Sequence, residues 1–338
     1  MPRAQDPTQS LLRWGIQNAA PGSLAETAQE IKDGKRPDLS TDVLKHIMGQ
    51  SDADKMHECV MVIEGTWVDR DGTGEVKNSG DITDEDRYRA WEDLEMLVQD
   101  LDNANDLQNM GLWPVILKYL THDDDEQVMF ACWVCGTATQ NNPKAQKAFF
   151  DQDPLPTLSS IIQSSSASPG TRAKAMYALS SSLKHWEAAV QRFSELGGWQ
   201  TLTQTLQDPS LKMRSKTAFL LAQLVSQSNS PATLLSSLRS ASTLSTLIDS
   251  LHSSTAIPTG PSGEQGEVDP DLRDKGLRFL ANVVERTAGG NTEGGLSRGE
   301  KDGALRAVAE AEKTEGWTPE DVGMAADEWA AFKRALQA

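Results

Sequence analysis

Two cysteines spaced as Cys-x-x-Cys, Cys132 and Cys135, are the residues best suited to metal or redox chemistry. A closed zinc site needs four ligands, and the sequence places neither a second cysteine pair nor a histidine pair beside them. Both cysteines share one predicted helix with Val128 and Ala131, at spacings that put all four on the same side. The spacing therefore indicates buried structural cysteines, and we expect no bound metal and no other cofactor.

The acidic segment from Asp69 to Gly80 is a second candidate for metal chemistry. It begins like the calcium-binding loop of an EF-hand, with acids at Asp69 and Asp71 and the turn glycine at Gly74. The twelfth position of that loop supplies a bidentate glutamate, whereas here it is Gly80, so about two oxygen ligands are missing. We therefore expect an ordinary acidic surface loop.

Catalytic motifs are absent from the sequence. The five histidines are scattered, and there is no Ser/His/Asp arrangement, Walker loop or glycine-rich phosphate loop. We therefore predict that the protein is not an enzyme. A calcium- or zinc-dependent enzyme is the least favoured of the functions considered.

The charge balance narrows the classes of partner. The chain has 32 Lys and Arg against 49 Asp and Glu, a formal net charge of −17, which opposes binding to a phosphate backbone. No apolar run approaches the roughly 18 residues of a membrane span, and the N-terminus lacks the apolar core of a signal peptide. Three cysteines form no disulfide framework. We expect a cytoplasmic protein that binds neither nucleic acid nor membrane.

The elements that must position any functional residue recur about every 43 residues between Asp84 and Gln227. Units of this length cannot bury their apolar faces alone and therefore stack into a solenoid. Each unit combines a short, a medium and a long helix, which is the armadillo plan. The predicted helices are Asn103–Asn109, Pro114–Leu120, Glu126–Gln140, Pro143–Phe150, Leu155–Gln163, Thr171–Leu183, Ala188–Leu196, Gln200–Leu206 and Leu211–Gln227.

The predicted fold is an all-α armadillo-repeat solenoid with a disordered N-terminal arm. We divide the chain into the arm (1–38), a helical cap with the acidic loop (39–83), the repeats (84–227) and a C-terminal helical cap with flexible loops (228–338). The apolar spacing predicts burial of Leu94, Leu97, Leu117, Val134, Leu158, Leu179 and Leu221. Because solenoids hold other macromolecules, this fold favours a binding protein.

Cations cluster at the start of two long repeat helices: Arg172 and Lys174 on one, and Lys212, Arg214 and Lys216 on the next. Each cation near a helix N-terminus opposes the macrodipole, at a cost of about 0.3–1 kcal/mol. Because stacking brings the helix starts together, we interpret the five residues as a basic strip that faces an acidic partner. Arg214 is expected to be a desolvated anchor in that contact. A merely solvated face remains the alternative.

Several runs of sequence resemble one protein family, the armadillo-type nucleotide exchange factors of the 70-kDa heat-shock chaperone, Hsp70. The resemblance spans roughly residues 9–230. The matching runs have the order and spacing that are typical of the family, including its fungal cytosolic members. The runs that carry it are Leu11–Asn18, Leu101–Leu107, Gly136–Gln146, Lys174–Ser180 and Leu211–Arg214. The acidic segment from Asp69 to Gly80 departs from the family pattern.

The resemblance implies that the concave armadillo surface grips one lobe of the chaperone's nucleotide-binding domain. That grip displaces the opposite lobe, so that ADP and then the client protein are released. The family's contacts carry over to the segment Asn103, Ala104 and Asn105, and to Arg214. Ala104 is expected at the contact surface, where its small side chain would allow close approach.

The resemblance also implies a role for the N-terminal arm. Its apolar residues, Leu11, Leu12, Trp14 and Ile16, would help to clear released client from the chaperone's peptide cleft. A short apolar stretch in a polar segment suits such a cleft.

We therefore predict a monomeric, cytoplasmic exchange factor for Hsp70. The alternative is a generic armadillo adaptor that binds an extended peptide or another partner protein. Such grooves usually carry regular Trp and Asn ladders on successive long helices. Here Trp133 and Asn141 have Tyr177 and His185 as their counterparts one repeat later, so the ladder is not kept.

Overall fold

The computed structural model describes residues 51–68, 76–77, 82–253, 257–260, 262–287 and 294–338. The chain divides into two compact units, residues 1–97 and 98–338. The predicted N-terminal arm and most of the segment from Asp69 to Gly80 lie outside the described residues.

In the first unit, helices α1 (Asp52–Ile63) and α2 (Asp84–Leu97) pack against each other. The side chain of Ser51 caps α1 by accepting a hydrogen bond from a first-turn amide. Strands β1 (Trp67–Val68) and β2 (Val76–Lys77) form a short antiparallel pair between the helices. The sequence predicted a loop from Asp69 to Gly80, whereas Val76 and Lys77 of that segment pair with Val68 and Trp67 as strands.

The second unit repeats a three-helix pattern. The first three sets are α3 (Leu101–Asn109), α4 (Trp113–Lys118) and α5 (Asp125–Thr139); α6 (Pro143–Phe150), α7 (Leu155–Gln163) and α8 (Pro169–Leu183); and α9 (Glu187–Glu195), α10 (Gly198–Thr205) and α11 (Leu211–Gln227). A 3₁₀ turn at Tyr119–Thr121 extends α4. The bounds agree with the nine predicted helices to within about two residues, and the all-α fold class is confirmed.

The same order of helices recurs after Gln227. A fourth set comprises α12 (Pro231–Ser240), α13 (Thr243–Asp249) and α14 (Pro270–Thr287), and it is followed by α15 (Arg298–Ala311), a 3₁₀ turn (Pro319–Val322) and α16 (Ala326–Gln337). The division of the chain predicted from the sequence, with a C-terminal cap from residue 228, stays a prediction.

Caps at the helix starts explain why the pattern is regular. Asn142 and Ser168 accept hydrogen bonds from amides in the first turns of α6 and α8, and each is followed by a proline at the first helical position. Asp124 caps α5 in the same way. These local signals set the phase of the repeat.

The third helices, α5, α8, α11 and α14, pack side by side and form the core of the second unit. Of the residues predicted to be buried, Leu94, Val134, Leu158, Leu179 and Leu221 are at most 1% exposed. Leu97 and Leu117 are only half-buried, so for these two the prediction was too strong. Each fully buried leucine contributes about 1.5–3 kcal/mol to the stacking.

Candidate partner-binding face

Aromatic rings and lysines alternate along one face of the third helices. In order across α5, α8 and α11, the aromatic residues and lysines of this face, all incompletely buried, are Trp133, Lys174, Tyr177, Lys216 and Phe219. Lys174 Nζ lies 3.3 Å from the Trp133 ring centre, and Lys216 Nζ lies 6.0 Å from the Tyr177 ring centre. We call these five residues the ladder face. Each lysine is held over the aromatic ring of the preceding repeat.

Tyr177 is fixed in the middle of the ladder face. Its hydroxyl donates a hydrogen bond to Gln140 Oε1 at 2.9 Å. Its ring packs so closely on Gly136 that a Cβ at that position would clash with it. The glycine therefore lets the ring lie against α5, and the hydrogen bond to Gln140 holds its hydroxyl in place.

Three lysines, Lys212, Lys216 and Lys275, lie near one another at the α11 end of the ladder face, where Lys275 also pairs with Asp271 at 2.6 Å. Burial lowers the pKa of Lys216, and the neighbouring cations Lys212 and Lys275 lower it further. An approaching carboxylate would relieve this repulsion. The face therefore combines exposed apolar area, with Phe219 50% exposed, and cations that attract an acidic surface.

The two arginines of the predicted basic strip do not belong to this face. Arg214 is completely buried and donates to the carbonyl oxygens of Asp208 at 2.7 Å and Pro209 at 2.9 Å, and also to that of Gly260. Arg172 donates to the Ile162 carbonyl oxygen at 2.8 Å and pairs with the Asp208 carboxylate. Arg214 was predicted to anchor a partner. Its guanidinium is instead enclosed by the protein's own carbonyl oxygens, so it does not reach the surface.

Both arginines connect one repeat to the next. Arg172 on α8 reaches the turn before α11, and Arg214 on α11 reaches the loop before α14. One repeat earlier, Asp125 on α5 accepts a hydrogen bond from Thr171 Oγ1 at 2.7 Å. These charge-assisted bonds offset the unfavourable position of the cations near helix N-termini. The basic strip is therefore two structural arginines and three lysines, of which Lys174 and Lys216 lie on the ladder face.

The predicted contact segment Asn103–Asn105 on α3 is less exposed than a contact surface requires. Ala104 is 1% exposed, so the prediction that its side chain lies at a contact surface is wrong. Asn103 and Asn105 are half-buried, and Leu101 at the start of the helix is 58% exposed. Because Ala104 is packed inside the second unit, an arginine there would disrupt the core as well as any contact.

Sequence reasoning compared Trp133 with Tyr177 but missed Phe219 and the pairing of aromatic rings with lysines. Their signal is a lysine three residues before an aromatic residue, which occurs in Lys174/Tyr177 and again in Lys216/Phe219. The second pair of positions compared in the sequence, Asn141 and His185, are turn residues in both repeats. They lie two residues after the ends of α5 and α8 and have φ values of 54° and 58°. A left-handed backbone explains these two residues. Because both lie outside the helices, they are not positions of an Asn ladder, and the comparison made from the sequence does not test the adaptor alternative.

The cysteines lie where the spacing predicts. Cys132 and Cys135 are buried, and burial raises the pKa of both thiols. Burial also raises the pKa of Cys59 to about 12. In the part of the chain that the structure describes, no cluster of His, Cys, Asp and Glu could hold a metal ion. Among the same residues, no helix is long and apolar enough to cross a membrane.

Two family models match the sequence. The model described as nucleotide exchange factor Fes1 matches residues 8–107, and the SIL1/FES1/HPBP1 C-terminal domain matches residues 103–243. Together they span the first unit, the first three helix sets and the start of the fourth. The ladder face lies within the second match.

Curated fungal relatives carry the name Hsp70 nucleotide exchange factor FES1. That of Mycosarcoma maydis is 37% identical over 75% of this chain and 62% of its own length. That of Schizosaccharomyces pombe is 31% identical over 65% and 70%, and that of Candida glabrata is 32% identical over 72% and 78%. The match spans only 51% of the relative from Cryptococcus neoformans. The chain thus spans less than two thirds of the length of the Mycosarcoma and Cryptococcus relatives.

Solved structures support the repeat architecture. A designed armadillo repeat protein superposes with a TM-score of 0.59, covering 83% of this chain and 99% of its own, at 15% identity. A computationally designed armadillo protein for modular peptide recognition gives 0.59 at 16% identity, covering 83% and 99%. These similarities establish the armadillo fold.

Proposed function

Since the chain belongs to the Fes1/SIL1/HPBP1 family of nucleotide exchange factors, we propose that it binds the nucleotide-binding domain of the cytosolic 70-kDa heat-shock chaperone. Binding promotes ADP release and thereby client release. The relatives' names supply the chaperone and the reaction. The protein acts without catalytic residues of its own, as a monomer in the cytoplasm, and binds no nucleic acid.

The ladder face is the observation that supports this proposal most strongly. In a chain with a net charge of −17, it brings two lysines to one surface and interleaves them with three aromatic rings. Exposed aromatic side chains supply contact area, and cations at the edge of a contact raise the association rate with an acidic surface. This combination suits the binding of a folded, acidic protein surface.

The exchange mechanism requires differential binding. A partner accelerates ADP release only if it binds the open chaperone domain more tightly than the closed, ADP-bound one. The hydrogen-bonded Tyr177 and the arginine links between repeats make the face rigid, so that it fits one lobe arrangement better than the other. ADP and this protein must then weaken each other's binding by the same factor.

Calorimetric titration of the isolated nucleotide-binding domain tests this coupling. We expect about tenfold weaker binding in saturating ADP than without nucleotide, within the usual range of allosteric coupling. The same measurement on the nucleotide-free domain without this protein is the control for heat that comes from unfolding of the domain itself. Equal affinity under the two conditions would refute an exchange role while leaving simple binding intact.

We also propose that the N-terminal segment containing Leu11, Leu12, Trp14 and Ile16 helps to clear client from the chaperone's peptide cleft. This segment lies outside the described residues. Deletion of residues 1–35 is expected to leave thermal stability and ADP release unchanged, and to slow the displacement of a labelled client peptide. Equal displacement by the full-length and truncated proteins would count against the proposal.

A generic peptide-binding adaptor is the second candidate, because Trp133, Tyr177 and Phe219 occupy successive third helices. An adaptor of this kind would bind an unfolded acidic peptide along the ladder face. An exchange factor needs the folded chaperone domain. Titration with a short unstructured peptide of Glu and Leu separates the two, since only the adaptor should bind it with micromolar affinity or better.

A further inference from the structure

A groove of about 590 Å³ lies between α9 and α12, the first helices of two successive sets, away from the ladder residues. Trp199 and Leu224 form part of its lining, with Val190 on one wall and Leu234 on the other. Its volume falls within the range of about 300–1,000 Å³ that is usual for ligand sites.

The equivalent gap one repeat earlier is bridged by two pairs of side chains. Between α6 and α9, the Phe150 and Trp186 rings lie 6.0 Å apart, and Arg192 pairs with Asp153 at 3.0 Å. Between α9 and α12, a hydrogen bond of 2.8 Å from the Asn229 amide to Glu187 connects the two sides at one end. The groove is thus a local departure from the packing of the preceding repeat.

The charge of the groove indicates what it can bind. Its lining residues include Glu187 and Glu195, both exposed, and neither a lysine nor an arginine. The rest of the polar lining is uncharged hydroxyl and amide groups together with the imidazole of His185. A ligand with positive charge and apolar side chains would match both the carboxylates and the apolar floor.

The shape favours a peptide segment. The groove is lined from Glu187 to Glu195 on one side and from Ser230 to Ser237 on the other. Eight to nine residues of helix span about 12 Å, which is the length of about two helical turns or of about four extended residues. We propose that this groove binds a short cationic peptide segment whose apolar side chains enter between α9 and α12.

Binding at this groove is independent of the proposed exchange function. None of its lining residues belongs to the ladder face. A cationic segment of a second protein can therefore occupy it while the ladder face is engaged. Failure of one proposal leaves the other untouched.

The test is fluorescence anisotropy with a short labelled peptide built from lysine and leucine, and with a matched peptide built from glutamate and leucine. Thr233 is an exposed groove residue on α12. Thr233→Arg should weaken binding of the lysine peptide about tenfold or more through bulk and like charge. Glu187→Gln combined with Glu195→Gln should weaken it and reduce its salt dependence. The glutamate peptide should not bind.

The matched control is Ser236→Arg, because Ser236 is exposed on the same helix but does not line the groove. It should change peptide affinity less than about twofold. Equal losses in Thr233→Arg and Ser236→Arg would show only a response to net charge and would overturn the proposal. No binding of the lysine peptide to the full-length protein would also overturn it. Thr233→Arg should leave ADP release from the chaperone unchanged.

Discussion

Replacing Lys174 and Lys216 together by glutamate is expected to weaken binding to the chaperone's nucleotide-binding domain about 100-fold. The two changes place like charges against an acidic surface, and a penalty of about 3 kcal/mol corresponds to that factor. Each lysine also loses its position over an aromatic ring, 3.3 Å and 6.0 Å from the Trp133 and Tyr177 ring centres. The measurement is ADP release at limiting protein concentration, across a range of salt.

The control for this variant is Lys144→Glu combined with Lys147→Glu on α6. It makes the same change in net charge at two exposed positions away from the ladder face. Its exchange activity should stay within about twofold of the unmodified protein, since exposed charges and exposed ion pairs, such as that of Lys147 with Asp151 at 2.7 Å, contribute little. Equal losses in both double variants would mean that overall charge, rather than the ladder face, governs the interaction.

Arg214→Leu is expected to lower the free energy of unfolding by about 3 kcal/mol. The change leaves buried carbonyl oxygens of Asp208, Pro209 and Gly260 without their donor, and each such loss costs about 1–3 kcal/mol before relaxation. The loop before α14 should also exchange its amide hydrogens faster, because it loses its link to α11. Urea denaturation and hydrogen exchange are the measurements.

Lys212→Leu, at an exposed position on the same helix, is the matched control and should change the unfolding free energy by less than about 0.5 kcal/mol. Unchanged stability of Arg214→Leu together with a loss of ADP release would contradict this prediction and would support Arg214 as a partner contact.

The repeat itself could be predicted because its signals are local. Prolines and capping residues such as Asn142 and Ser168 mark helix starts, and apolar spacing defines the buried side of each helix. Helices α6, α7 and α11 therefore have the bounds that the sequence predicted. The β1–β2 pair was missed because it contains only four residues and lacks a recognisable pattern.

The basic strip was misread for a geometric reason. Residues two apart on a helix point in directions about 200° apart, so Arg172 and Lys174 cannot lie on one face. The same holds for Arg214 and Lys216. The arginines turn into the stack and the lysines turn outward. Cations at every second position of a helix therefore predict two separate roles.

Other features depended on contacts between distant parts of the chain. Arg214 binds Gly260 in a loop of the C-terminal region that the sequence predicted to be flexible. Ala104 resembles a contact residue in the family motif, yet its burial follows from how α3 packs within the second unit. The ladder face likewise requires the stacking of α5, α8 and α11, which brings a lysine of one repeat over a ring of the previous one.

The central claim is that this protein opens the chaperone's nucleotide-binding domain through its third-helix face. Stopped-flow release of fluorescent ADP from the full-length chaperone, chased with excess unlabelled nucleotide, tests it most directly. The release rate should rise with the concentration of this protein and reach a plateau, and the Lys174→Glu and Lys216→Glu double variant should require about 100-fold more protein to reach the same rate. A release rate that stays at its basal value at every concentration of the unmodified protein would contradict the account.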